Sequence, residues 1–131
     1  MTLPHFDKYR FENLEVWMLA MRIVRETYKI SQRFPGTEIF ALADQFRRVA
    51  TSVALNIAEG SGRHTRKGFM LYLHRSKSSV LECVACFKIA EQEQWVTADE
   101  TKIAGDLLQE EYFKLIALVK SLSKRNTMKR E

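Results

Sequence analysis

The sequence predicts an all-α protein, an antiparallel up-and-down four-helix bundle, on three observations. Apolar residues recur at spacings of three and four through four long segments, the period of a helix with one buried face. Turn formers are scarce: there are five Gly and two Pro in 131 residues, and both Pro4 and Pro35 lie outside the periodic stretches. The breaks between segments are short, which makes consecutive helices antiparallel neighbours. A chain of this size buries roughly two thirds of its unfolded surface without a metal or a disulfide.

The first helix is expected from about Asn13, as its cap, to Arg33, stopped by Phe34-Pro35-Gly36. It carries two apolar seams: Leu14, Trp17, Met21, Val24 and Tyr28, and Val16, Ala20, Ile23, Thr27 and Ile30. One seam serves the subunit's own core, and the second suggests a contact between subunits. The central helix is expected from Thr37, as its cap, to about Arg63. Ile39, Leu42, Phe46, Val49, Ala50, Val53 and Ile57 form its core face, and Gly60 and Gly62 are its left-handed stop. Thr65 caps the third helix, whose seam is Phe69, Leu73, Ser76, Val80, Cys83, Phe87 and Ala90. The small residues Ser76, Ser78, Ser79 and Ala85 would allow close approach. Thr97-Ala98-Asp99-Glu100 is a capping box that starts the fourth helix, with Leu108, Tyr112, Leu115, Val119 and Leu122 as its seam. The domain plan is an N-terminal extension (1–12), the bundle (13–124) and a basic tail (125–131).

Composition narrows the function. No apolar run approaches the ~20 residues that span a bilayer, and the N-terminus lacks the pattern of a signal peptide, so a cytoplasmic protein without membrane contact is expected. Cys83 and Cys86 form C-x-x-C within a helical pattern, but no second pair of ligands completes a zinc site, and buried thiols are the expectation. Nucleotide-binding glycine loops, hydrolase elbows and metalloprotease motifs are absent, as are the E-x-x-H pairs of a di-iron bundle. The expectation is no catalytic residue, no metal and no cofactor. His5, His64 and His74 are expected at the surface.

Charge is where the sequence is informative. The net charge is +5, unevenly spread: Glu59 to Glu82 encloses five bases (Arg63, Arg66, Lys67, Arg75, Lys77) and no acid, whereas Glu91 to Glu111 holds seven acids and one base. Segregation of this kind fits an anionic partner or pairing between subunits. On the central helix Gln45, Arg48, Ser52, Asn56 and Glu59 form a polar stripe, suited to a hydrogen-bonded helix contact, a subunit contact or a ligand surface.

Several stretches together resemble a known family: Leu14-Glu15-Val16-Trp17 with Ala20, Phe34-Pro35 with Glu38, Gln45-Phe46-Arg47-Arg48, Ser52, Asn56-Ile57-Ala58-Glu59-Gly60 with Arg63, and Tyr72-Leu73 with Ser79 and Glu82. They resemble the bacterial four-helix bundle proteins of 23S ribosomal RNA intervening sequences, to which the accessory variability determinants of diversity-generating retroelements are related. The resemblance implies a positively charged homo-oligomer, a pentameric ring, without known catalysis. Its retroelement members bind nucleic acid and work with a reverse transcriptase. The candidate nucleic-acid-binding residues are Arg47, Arg48, Arg63, Arg66, Lys67, Arg75 and Lys77; the candidate network or subunit contact is Gln45, Ser52, Asn56 and Glu59. RNA or DNA is the expected partner, with weak sequence preference, since no aromatic stacking platform can be argued from the sequence. The alternative is a structural module whose basic face meets an acidic protein.

Overall fold

A computed structural model describes residues 9–38 and 41–130. Among these, four α-helices carry the architecture: α1 (Glu15–Ser31), α2 (Leu42–Ser61), α3 (Arg66–Gln92) and α4 (Ala98–Arg130), with 3-10 turns at Arg10–Asn13 and Gly36–Glu38. Helix α1 packs on α2 and α4, and α3 packs on the same two helices. Chain directions are visible in the pairs. Ser52 meets Ser79, Val53 meets Ser76 and Gly60 meets Tyr72 between α2 and α3; Glu15 meets Lys114 at 2.7 Å, while Arg33, just past α1, pairs with Glu100.

The expected core faces are largely the observed ones. The second α1 seam, Val16, Ala20, Ile23, Thr27 and Ile30, is buried; from the other, Met21 and Tyr28 are exposed. On α2, Phe46, Val49, Ala50, Val53 and Ile57 are buried and Leu42 is half-buried, while Ile39 lies outside the described residues. All seven residues of the α3 seam are buried. Phe46 is the centre of the aromatic core, with Phe34 stacked at 5.7 Å and Phe87 edge-on at 4.4 Å; Phe34 also meets Trp95 at 5.1 Å. Each such buried ring contributes on the order of 2–3 kcal/mol.

Local signals held where the cap bonds are local. Thr65 Oγ1 accepts from the Gly68 N–H at 2.9 Å. Glu100 accepts from the Thr97 N–H at 2.9 Å and Thr97 from the Glu100 N–H at 3.2 Å. That backbone bond, followed by the Thr97 hydroxyl and Arg33, holds the Glu100 carboxyl below its usual range.

Other boundaries need correction. Asn13 is not a cap: it belongs to the 3-10 turn, the Leu14 N–H donates to Phe11 O, and Leu14 takes the N-cap position without a side-chain bond. Thr37 lies in the second 3-10 turn, and α2 begins at Leu42. Neither Gly60 nor Gly62 is left-handed. Helix α2 ends instead by tightening, with Gly62 N–H on Glu59 O and Arg63 N–H on Gly60 O. Gly60 serves close approach: a Cβ there would lie 2.7 Å from Tyr72 Cβ. Among the described residues the left-handed one is Gln94, at φ 63°, after α3. Trp95 N–H then reaches back to Ala90 O, closing a Schellman-type end. Of the four small α3 residues only Ser76 and Ser79 face a partner helix; Ser78 and Ala85 are exposed. Helix α4 runs through Arg130, so helix continues into the stretch assigned to a basic tail.

The α4 seam also differs. Leu108, Leu115 and Leu122 are buried, but Tyr112 and Val119 are only half-buried, and the fully buried residue between the first two is Glu111. Neither of its carboxyl oxygens has a hydrogen-bond partner. Burial, with smaller contributions from Glu110 and Glu15 and against Lys114, pushes its pKa up to about 9. The group is a neutral acid at pH 7, because an isolated carboxylate in an apolar interior protonates rather than remain charged.

Cys83 and Cys86 are free, buried thiols, and burial, reinforced by Cys86, pushes Cys83 up to about 12. Among the described residues no helix is long and apolar enough to cross a membrane.

Candidate nucleic-acid interface

The polar stripe of α2 is divided: Ser52 and Asn56 are half-buried at the α3 contact, while Gln45, Arg48 and Glu59 are exposed. Ser52 Oγ and Ser79 Oγ are 2.9 Å apart, and Asn56 Nδ2 donates to both the Ser52 carbonyl and its hydroxyl. Ser76 Oγ donates to Val53 O at 2.7 Å one turn away. These bonds satisfy polar groups at a close helix contact, where an unpaired hydroxyl would cost about 1–3 kcal/mol. Glu59 instead accepts from Arg63 at 2.7 Å, and Gln45 is exposed.

The seven candidate bases do not form one patch. Arg47 is half-buried between α1 and α2, donating from Nε to Ser31 Oγ at 2.8 Å with its guanidinium 5.7 Å from the Tyr28 ring. Arg48 is exposed and paired with Asp44 at 2.9 Å. Both sit roughly 20 Å along the axis from the end of α2, at 1.5 Å per residue. At the opposite end, Arg63 follows α2 and Arg66 opens α3. The Arg63 guanidinium lies 4.5 Å from the Tyr72 ring centre and donates to the Tyr72 hydroxyl, and Arg75 lies 4.6 Å from the same ring. Tyr72 therefore gathers two guanidiniums into one cationic corner. At about 100° per residue Arg66 and Lys77 fall on the other flank of α3, towards α4, and Lys67 faces away from the core.

The sequence reading missed Arg10, His64 and the rings around them. Residues 9–12 of the expected extension lie against the bundle: Phe11 meets Trp17 edge-on at 4.6 Å, and Arg10 sits 5.6 Å above the Phe69 ring. Arg10, Arg63 and His64 line one cleft together. The Tyr72–Arg75 spacing of three and the Glu59–Arg63 spacing of four were legible signals for helix neighbours. Nothing in sequence spacing joins Arg10 to Phe69.

A family model described as 23S rRNA-intervening sequence protein matches residues 12–121. The fold is similar to a crystal structure of a protein with unknown function from the S23 ribosomal protein family of Bacteroides thetaiotaomicron. Its TM-score is 0.74 at 17% identity, covering 80% of this chain and 98% of that one. No curated protein matches the chain.

Proposed function

This chain belongs to the 23S rRNA-intervening sequence protein family, and we propose that it is a non-enzymatic, homo-oligomeric accessory protein that binds RNA or DNA through cationic contacts to phosphate. The observation that carries this reading is the corner between α2 and α3. Arg63 and Arg75 converge there on Tyr72, which holds both guanidiniums in place, Arg66 adjoins Arg63 on the other flank of α3, and no acid lies between Glu59 and Glu82 in the sequence. Ordered, closely spaced guanidiniums favour an anion that can span them, and a phosphate backbone does so with little dependence on base sequence. Arg47 contributes to the α1–α2 contact; Arg63 and Arg75 form the centre of the phosphate-facing set, and Arg66, Lys67 and Lys77 extend it around α3.

The architecture behind it is an antiparallel up-and-down bundle, supported by the reversed residue pairs between α2 and α3 and between α1 and α4. Assembly, as a pentamer in this reading, is supported by the open α1 seam, where Met21 and Tyr28 are 48% and 43% exposed, with Met18 beside them at 51%. Two free thiols suit the reducing cytoplasm. The test is a variant with Arg63, Arg66, Lys67, Arg75 and Lys77 changed to Gln. It should keep its helical content and assembly while losing affinity for RNA and DNA alike, most visibly at low salt, with the salt slope falling by about 0.7–0.9 per lost contact. A variant that binds as tightly as the parent across a salt titration would transfer the case to the protein-interaction module.

A further inference from the structure

An open cleft of about 900 Å3 lies where Tyr9, Arg10 and Phe11 pass over the end of α2. A smaller one of about 240 Å3 shares Arg10, Arg63 and His64 with it and adds Arg66. One wall is aromatic. The Tyr9 and Phe11 rings stack at 6.2 Å with 29° between their planes, Trp17 braces Phe11, and Tyr9 is 50% exposed. The remaining walls are cationic and ordered by ring contacts, Arg10 on Phe69 and Arg63 on Tyr72. Among the described residues, no carboxylate pairs with Arg10, His64 or Arg66. The acid in the cleft, Glu59, is engaged by Arg63.

Phosphate satisfies the guanidiniums, but so would a carboxylate peptide; the aromatic wall separates the two. A base has a flat π-face that stacks on Tyr or Phe whatever its identity, and a phosphate follows within reach of the cations. In a duplex the bases are stacked on one another and their faces are closed to the protein. We propose that this cleft takes one unpaired nucleotide of RNA or DNA, its base against Tyr9 and Phe11 and its phosphate among Arg10, Arg63, His64 and Arg66. The proposal rests on the nucleic-acid reading above and adds to it a preference for single strands.

The experiment compares a short oligoadenylate, made as RNA and as DNA, with a duplex of the same length, by fluorescence anisotropy on the parent protein, Tyr9→Ala, Tyr9→Phe and Arg10→Gln. Tyr9→Ala should weaken both single strands about 5- to 100-fold, the effect of one lost base stack, while duplex affinity stays unchanged. Tyr9→Phe should restore binding, and Arg10→Gln should lower the single-strand salt slope by about 0.7. Circular dichroism identical to the parent's certifies the fold of each variant. Equal loss on duplex and single strand, or no loss at all, would overturn the cleft assignment. If the parent binds with a steep salt slope and Tyr9→Ala changes nothing, the cleft fails and the general reading stands; if the parent binds no nucleic acid at low salt, both fail.

Discussion

Glu111 should make this bundle less stable as pH rises, and a single isosteric substitution should abolish that behaviour. Its folded pKa is about 9 because the carboxyl is buried without a hydrogen-bond partner, whereas in the unfolded chain it titrates near the ordinary glutamate value of about 4.3. Between those values the folded state holds a proton that the unfolded state has released. The contribution to stability is therefore complete below about pH 4 and is lost as pH rises towards about 9. One proton corresponds to about 1.4 kcal/mol per pH unit, so about 4 kcal/mol is lost between pH 5 and pH 8. Glu111→Gln keeps the shape and has no proton to release. Urea melts at fixed protein concentration, which holds mass action from assembly constant, should give a parent-minus-variant difference that falls by about 3–4 kcal/mol over that interval. Other titrating groups cancel in the difference. A difference independent of pH would show that Glu111 is hydrated or paired and that its place in the α4 seam is wrong.

Phe46→Ala should cost about 3–5 kcal/mol by emptying the space between Phe34 and Phe87, whereas Lys102→Ala, which removes an exposed pair with Asp106, should cost under about 0.5; chemical denaturation of the two variants checks both. Two Gly→Ala changes should have opposite signs in the same assay. Gly60→Ala puts a Cβ 2.7 Å from Tyr72 Cβ and 3.0 Å from Phe69 Cδ1 and should cost about 1–3 kcal/mol, while Gly105→Ala meets nothing within 4 Å and should stabilise by up to about 1 kcal/mol. Gln94→Gly should raise thermal stability by roughly 1 kcal/mol, because φ 63° carries a Cβ penalty there that glycine avoids.

Elements governed by local physics were legible before the structure. The α3 seam, the Thr65 cap and the Thr97–Glu100 box depend on residues within a turn or two of one another, and spacing alone identifies them. Asn13 and Thr37 lie within 3-10 turns rather than at helix starts, and the end of α2 is closed by backbone bonds from Gly62 and Arg63 to Glu59 and Gly60, which leave no need for a left-handed glycine. Glu111 stands in the apolar period, three after Leu108 and four before Leu115. The sequence favours Tyr112 at that step because a carboxylate is costly in a core, and the structure resolves that cost by protonation. The candidate site was half legible. Its bases show as an acid-free run, but Arg10 on Phe69 and the aromatic wall require segments far apart in sequence to meet.

The most direct test of nucleic-acid binding by this chain is the salt dependence of affinity for a single-stranded oligonucleotide, measured on the unmodified protein. Plotted as log K against log salt, the data should fall on a straight line. With Arg63, Arg66 and Arg75 each engaging a phosphate the slope should be about −2 or steeper, at about −0.7 per contact. An affinity that does not change with salt, or no binding at low salt, would contradict the assignment.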